Sequence, residues 1–327
     1  MTEFSECSSE FSPRVKLSFT HDEVSECLMS VAPREPVDHR YQALFFVRTT
    51  VPSKTEQVAL LEKTLGIETS ILLRHEVCYL MGQIGSPEAI PTLRRILHAA
   101  DEDEVTRHEA AEALAALEAP GLVEDLQEYA LTRDTLPLLA DTCNLALEGL
   151  KRKQDAQMCG CQGGEKGQGG RFITTDPAKG DPSATVDDVP RLEASLKDES
   201  LALYDRYEAA FTLRNLGAGG SLAAALEGDT SSACLRHELA FVLAQLEDEA
   251  TADALISKLE DPKEHGVVRH EAAIALSAMD SPHAKAALVR NLADPDPMVH
   301  ESCKAALSTM EYWAAWEAEE ARILGQP

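Results

Sequence analysis

Long apolar runs are missing from this chain: no stretch of about 18 uninterrupted apolar residues occurs, so no transmembrane helix is expected. Aromatic residues are scarce, at 5%, while apolar residues reach 44% and Ala and Leu are abundant. That balance suits closely packed helices better than a β-rich fold. Basic residues are few, 30 Lys and Arg against 56 Asp and Glu, for a net charge of −26. Patches suited to DNA or RNA are absent, and such a surface repels phosphates while steering a cationic partner towards itself. Acidic residues on exposed helix faces also keep a protein soluble, so charge alone names no partner. A disulfide framework is lacking too. The eight cysteines (Cys7, Cys27, Cys78, Cys143, Cys159, Cys161, Cys234, Cys303) show no such pattern. Those inside helices read as small buried hydrophobes, and Cys159 and Cys161 as a loose pair in a connector. Met1 to Glu10 is polar and acidic, without the regions of a signal peptide, so a cytoplasmic setting is expected.

What the chain does contain is repetition. Arg74-His75-Glu76, Arg107-His108-Glu109, Arg236-His237-Glu238 and Arg269-His270-Glu271 fall in two pairs. Histidines within a pair are 33 residues apart, and the pairs are 162 apart. A period near 33 is that of a helical-hairpin repeat. Arg40-Tyr41-Gln42 and Arg206-Tyr207-Glu208 precede the triplets, while Ala140-Asp141-Thr142-Cys143 and His300-Glu301-Ser302-Cys303 follow them. Each half therefore has four repeats. The expected fold is all-α, a solenoid of eight helical hairpins in two pseudo-symmetric halves.

The expected organisation is a disordered N-terminus (1–20), an N-terminal half (21–150), a flexible linker (151–189), a C-terminal half (190–310) and a capping helix and tail (311–327). Gly, Gln and Cys enrich the linker between Cys159 and Gly170, and Pro and Asp enrich it from Asp176 to Pro190. Trp313 and Trp316 are expected to pack inward from the capping helix. Ser86-Pro87-Glu88 opens the first helix of the third repeat. Asp101 to Asp103 make the turn, and the triplet falls in the first turns of the second helix.

A single His-Glu in such a helix is usually structural, and the arginines read as scaffold. Four His-Glu motifs in one register, paired within each half, point instead to a metal site. Packed helices lie about 8–10 Å apart, and metal–imidazole bonds are about 2 Å, so two inward histidines on neighbouring repeats can meet at one ion. His and Glu of one dipeptide diverge by about 100° around the helix, which leaves open which glutamates join them. His300-Glu301 has Ala140-Asp141 as its counterpart and is taken as structural, and His21, His39, His98, His265 and His283 have no symmetric partners. Imidazole and carboxylate without thiolate point to iron, manganese, zinc or nickel. Two His and one carboxylate per half would form a facial triad, and two triads a dinuclear site.

These motifs, on repeats two, three, six and seven of eight HEAT-like repeats, resemble the deoxyhypusine hydroxylase family over about residues 21–310. The resemblance implies a di-iron monooxygenase with two Fe ions, O2 as co-substrate and an external reductant. Its implied partner is the translation initiation factor 5A precursor carrying deoxyhypusine, with no nucleic acid or membrane partner. It implies that His75, His108 and Glu109 hold one iron and His237, His270 and Glu271 the other. Glu76 and Glu238 would bind metal or substrate, and no catalytic residue is implied beyond the di-iron centre. The longer connector, His300 and the tail depart from the family pattern. The alternatives are a non-catalytic HEAT-repeat protein-binding scaffold and a dinuclear zinc or manganese hydrolase.

Overall fold

The computed structural model describes residues 17–30, 35–158, 172, 174–279 and 281–324. Among them are α-helices and short 3-10 turns but no strand. The first run comprises α1 (His21–Leu28), α2 (Val37–Thr50), α3 (Lys54–Ile67), α4 (Ile71–Ile84), α5 (Ile90–His98), α6 (Glu104–Ala116), α7 (Leu122–Tyr129) and α8 (Pro137–Met158). The second comprises α9 (Val189–Lys197), α10 (Leu203–Asn215), α11 (Gly219–Gly228), α12 (Ala233–Leu246), α13 (Ala252–Glu260), α14 (Gly266–Leu276), α15 (Pro282–Arg290) and α16 (Pro297–Ile323). No helix of the described residues is long and apolar enough to cross a membrane.

Local chemistry starts these helices. The side chains of Ser70, Asp103, Ser232 and Asp296 accept a backbone N–H in the first turn of α4, α6, α12 and α16. Proline occupies the first turn of α5, α9, α15 and α16, where its missing N–H is not needed. Gly85 ends α4 in the left-handed conformation, φ 65°. Small residues set the helix spacing. A Cβ on Gly82 of α4 would lie 3.0 Å from Ala113 of α6, so these two helices pack at a distance that only glycine permits.

Each odd-numbered helix packs on the even-numbered helix that follows it. Each even-numbered helix also packs on the next even-numbered one, and α16 packs back on α2. The even-numbered helices therefore close a ring, with the odd-numbered ones outside. The repeated arginines hold successive hairpins together. Nε of Arg107, Arg206 and Arg269 donates to the carbonyl of Leu97, Leu196 and Leu259 respectively, at 2.8–2.9 Å. Arg40, Arg74, Arg206, Arg236 and Arg269 each pair with an acid in a following loop: Glu68, Glu102, Asp229, Glu264 and Asp294. This is the scaffold role that their regular spacing suggests.

The structure departs from three expectations. Within the stretch expected as a flexible linker, 151–158 continue α8, and residues from 174 onward are held in place. Asp176 pairs with Arg214 at 2.7 Å, and the Asp181 N–H donates to Thr212 Oγ1 at 2.9 Å. The Thr175 N–H donates to Gln83 of α4 while Gln245 of α12 donates to Thr174, so this segment bridges those two helix ends. Residues 159–171, with Cys159 and Cys161, lie outside the described residues, as do 1–16 of the expected disordered N-terminus. Second, α16 runs without a break from Pro297 to Ile323, so no separate capping helix begins at 311. Third, Trp313 and Trp316 do not pack inward. They are 53% and 45% exposed, because this end of α16 extends past the ring that buries its start.

Candidate metal centre

His75, His108, His237 and His270 are each the fifth residue of their helix, in α4, α6, α12 and α14. One position on a helix fixes one direction, and four inner helices of a closed ring turn that direction into convergence. The His75 and His108 rings stack at 6.0 Å with 25° between planes, and those of His237 and His270 at 6.2 Å and 23°. The two pairs meet edge to face: His75 lies 5.1 Å from His270, and His108 lies 5.4 Å from His237. The near-equality of both sets of distances is the pseudo-two-fold relation of the two halves. All four imidazoles are buried, His108 and His270 completely.

Two hydroxyls hold the fully buried rings. His108 Nδ1 meets Thr142 Oγ1 at 2.7 Å, and His270 Nδ1 meets Ser302 Oγ at 2.9 Å. A hydroxyl has one proton, and each spends it on its own helix: Thr142 donates to the Leu138 carbonyl and Ser302 to that of Met298. The hydroxyls therefore accept from Nδ1–H, which leaves the Nε2 lone pair of both histidines bare. That is the tautomer a metal requires. Replacing Thr142 by Val and Ser302 by Ala is expected to lower metal affinity by about 10- to 100-fold with little loss of helix content. Metal titration with circular dichroism as control checks this.

The halves close through a matching pair of contacts. The Ser70 hydroxyl, at the cap of α4, donates to Glu301 of α16 at 2.5 Å. The Ser232 hydroxyl, at the cap of α12, donates to Asp141 of α8 at 2.7 Å. Asp141 and Glu301 are the fifth residues of α8 and α16, so they stand where the other helices carry histidine. The pairing of His300-Glu301 with Ala140-Asp141 therefore holds in the structure. Glu301, not His300, holds the histidine place, and His300 falls in the arginine place. Its Nδ1 donates to the Leu292 carbonyl, as Arg107 and Arg269 do to theirs, so its role is structural.

The glutamates divide by contact. Glu109 Oε2 lies 3.2 Å from His75 Nε2 and 3.8 Å from His108 Nε2. Glu271 Oε2 lies 3.6 Å from both His237 Nε2 and His270 Nε2. Glu76 Oε1 spans the halves, 3.5 Å from His75 Nδ1 and 3.8 Å from His270 Nε2. Glu238 departs from this symmetry; it is buried and faces Glu112, Asp176, Glu271 and Glu109.

Electrostatics follow from burial. Desolvation, with the neighbouring imidazoles, pushes His108 and His270 well below the usual imidazole range and His237 down to about 3. Burial opposes charge on His75 as well, but the Glu109 and Glu76 carboxylates outweigh it and hold His75 above that range. Burial, reinforced by neighbouring carboxylates, pushes Glu271 and Glu112 up to about 8 and raises Glu238. Without a cation, the site keeps protons that a cation would displace.

The residues fit a metal. Nε2 of all four histidines is buried without a hydrogen-bond partner among the described residues, a costly state that coordination relieves. His237, His270 and Glu271 offer ligand atoms within 4.8 Å of one another, as do His75, Glu76 and His270. The donors are nitrogen and oxygen. Cys234, beside His108 and Glu112, has its thiol raised well above the usual range by burial and so stays protonated. Seven of the eight residues of the His-Glu motifs thus meet around one centre, and Glu238 is buried among carboxylates beside it. Thr142, Ser302 and Glu112 were not singled out from the sequence, although Glu112 lies four residues after His108 and so on the same helix face.

Fold and site together define a helical-repeat protein with a buried centre lined by His and Glu. The model of the HEAT repeats family matches residues 58–148 and 221–308. Deoxyhypusine hydroxylase of Danio rerio is 36% identical over 287 residues, covering 86% of this chain and 89% of that protein. That of Arabidopsis thaliana is 37% identical over 288 residues, covering 88% and 89%. The solved structure of human deoxyhypusine hydroxylase in complex with glycerol superposes with a TM-score of 0.77 at 36% identity, covering 89% of this chain and 96% of that one. The chain belongs to the deoxyhypusine hydroxylase family.

Proposed function

We propose that this chain hydroxylates the deoxyhypusine side chain of the translation initiation factor 5A precursor to hypusine, using O2 and two iron ions held between its halves. The observation that carries this reading is the set of four buried imidazoles with unpartnered Nε2, each beside a glutamate. In this reading His75, His108 and Glu109 hold one iron, and His237, His270 and Glu271 the other. Iron supplies the reduction and activation of O2 that attack on an unactivated C–H bond demands and no ordinary side chain provides. One oxygen atom enters the C–H bond and the other leaves as water, with two electrons and two protons drawn from an external reductant.

The protein's own residues do the rest. Thr142 and Ser302 fix the imidazole tautomers, and burial excludes water from the centre. Glu76 and Glu238 are left to meet the protonated amines of the substrate by charge-assisted hydrogen bonds, or to complete the metal ligation. The acidic surface, net −26, draws a cationic substrate towards the site. Five buried, free cysteines suit a cytoplasmic setting.

Metal analysis and a turnover assay test the proposal together. About two irons per chain and O2-dependent hydroxylation of the deoxyhypusine-bearing precursor are expected. Bound zinc or manganese without oxygenation would favour a hydrolase, and the absence of metal would favour a scaffold.

A further inference from the structure

The histidine-bearing helices present a second layer one turn beyond the imidazoles. Residues four apart share a helix face. Tyr79, Glu112, Phe241 and Ile274 follow His75, His108, His237 and His270 by four, and all are partly buried. Tyr79 and Phe241 touch edge to face across the halves at 6.1 Å. The pseudo-two-fold relation pairs Tyr79 with Phe241, two rings, but pairs Glu112 with Ile274, a carboxylate with a hydrocarbon. This layer is therefore lopsided, as the Glu76 and Glu238 positions already are.

Glu112 has a second peculiarity. Like Nε2 of His108 and His237, its Oε1 is buried with no hydrogen-bond partner among the described residues. A carboxylate oxygen of Glu112 is within 4.8 Å of ligand atoms of both His108 and Cys234. An unpaired carboxylate oxygen withdrawn from water is costly unless a donor meets it when the site is filled.

We propose that Glu112 receives an alkylammonium group of the substrate side chain, and that this carboxylate, whose counterpart in the other half is Ile274, helps fix which way round the chain meets the centre. The inference rests on the hydroxylase reading. The histidine pairs with Glu109 and Glu271 match between the halves, while hydroxylation of one carbon needs a substrate held in one direction. Glu112 supplies a charged anchor on one side, and Ile274 and Phe241 supply an apolar wall for methylenes on the other.

The test is Glu112→Gln in the iron-loaded full chain. KM for the deoxyhypusine-bearing precursor is expected to rise about 10- to 100-fold, the range of a lost charge-assisted hydrogen bond, with a much smaller change in kcat. Iron content should stay at the level of the unaltered protein, and Glu112→Asp should recover part of the loss. Calorimetric titration with 1,4-diaminobutane should show the same weakening. An unchanged KM together with unchanged diamine binding overturns the inference. So does a fall in bound iron, which would make Glu112 a ligand. Absence of turnover by the unaltered protein would sink the hydroxylase reading instead, and the diamine titration then decides the role of Glu112 by itself.

Discussion

Replacing His108 or His270 with alanine is expected to lower bound iron to one ion per chain or fewer and to reduce hydroxylation below detection. Both rings are fully buried, held at Nδ1 by a hydroxyl, and bare at Nε2. Each lies next to rings of the other half as well as its own, so removing one donor loosens the centre on both sides. The loss should exceed the roughly 10- to 100-fold effect of removing an outer-shell partner. Glutamates provide the contrast. Glu109 Oε2 reaches both histidines of its half, and Glu109→Gln should lose iron as the histidine variants do. Glu76 reaches across the halves, and Glu76→Gln should spare iron while weakening substrate binding. Iron assays on folded protein decide between these roles. Iron in Glu76→Gln at the level of His75→Ala would make Glu76 a ligand.

Stability of the metal-free protein is expected to fall as pH rises from about 6.5 to about 8. The buried carboxyls of Glu112 and Glu271 keep their protons up to about 8, against 4.5 when unfolded, and Glu238 is raised as well. The His75 cation likewise persists above its unfolded value of 6.5. Across this window the folded state holds more protons than the unfolded state, so stability drops by about 1.4 kcal/mol per pH unit for each excess proton. His108, His237 and His270 have the opposite sign, since their depressed values cost stability only as pH falls below 6.5. Iron should reverse the trend above 6.5, because binding releases the carboxyl protons and so strengthens as pH rises. Thermal melts of chelated and iron-loaded protein at pH 6.5 and 8 check this. A chelated protein whose melting temperature rises over that interval would count against a protonated, cation-seeking centre.

Much of this was legible without coordinates. A spacing of 33 residues between His-Glu dipeptides, with caps and prolines at matching places, identified the helices that bear them. The inward register of His75, His108, His237 and His270 followed from the same period. The end of the chain was read less well. His300-Glu301 repeats the His-Glu dipeptide with two fewer residues between His270 and Glu301 than between His108 and Asp141, and the contacts put Glu301, like Asp141, in the histidine place. Trp313 and Trp316 suggested an inward cap because large aromatic residues usually seek cover, but the ring is already closed by the part of α16 before them.

The sequence by itself determined the helices, their repeat, and the nitrogen and oxygen donors at one helical position, because these depend on residues within a turn or a period of each other. Only the tertiary structure decided that the donors converge. Closure depends on Ser232 meeting Asp141 91 positions away and Ser70 meeting Glu301 231 positions away. It also decided which hydroxyl fixes each tautomer, which carboxylate reaches which imidazole, and that Glu112 has no charged twin. Those are distances between helices far apart in the chain, and a helical period is blind to them.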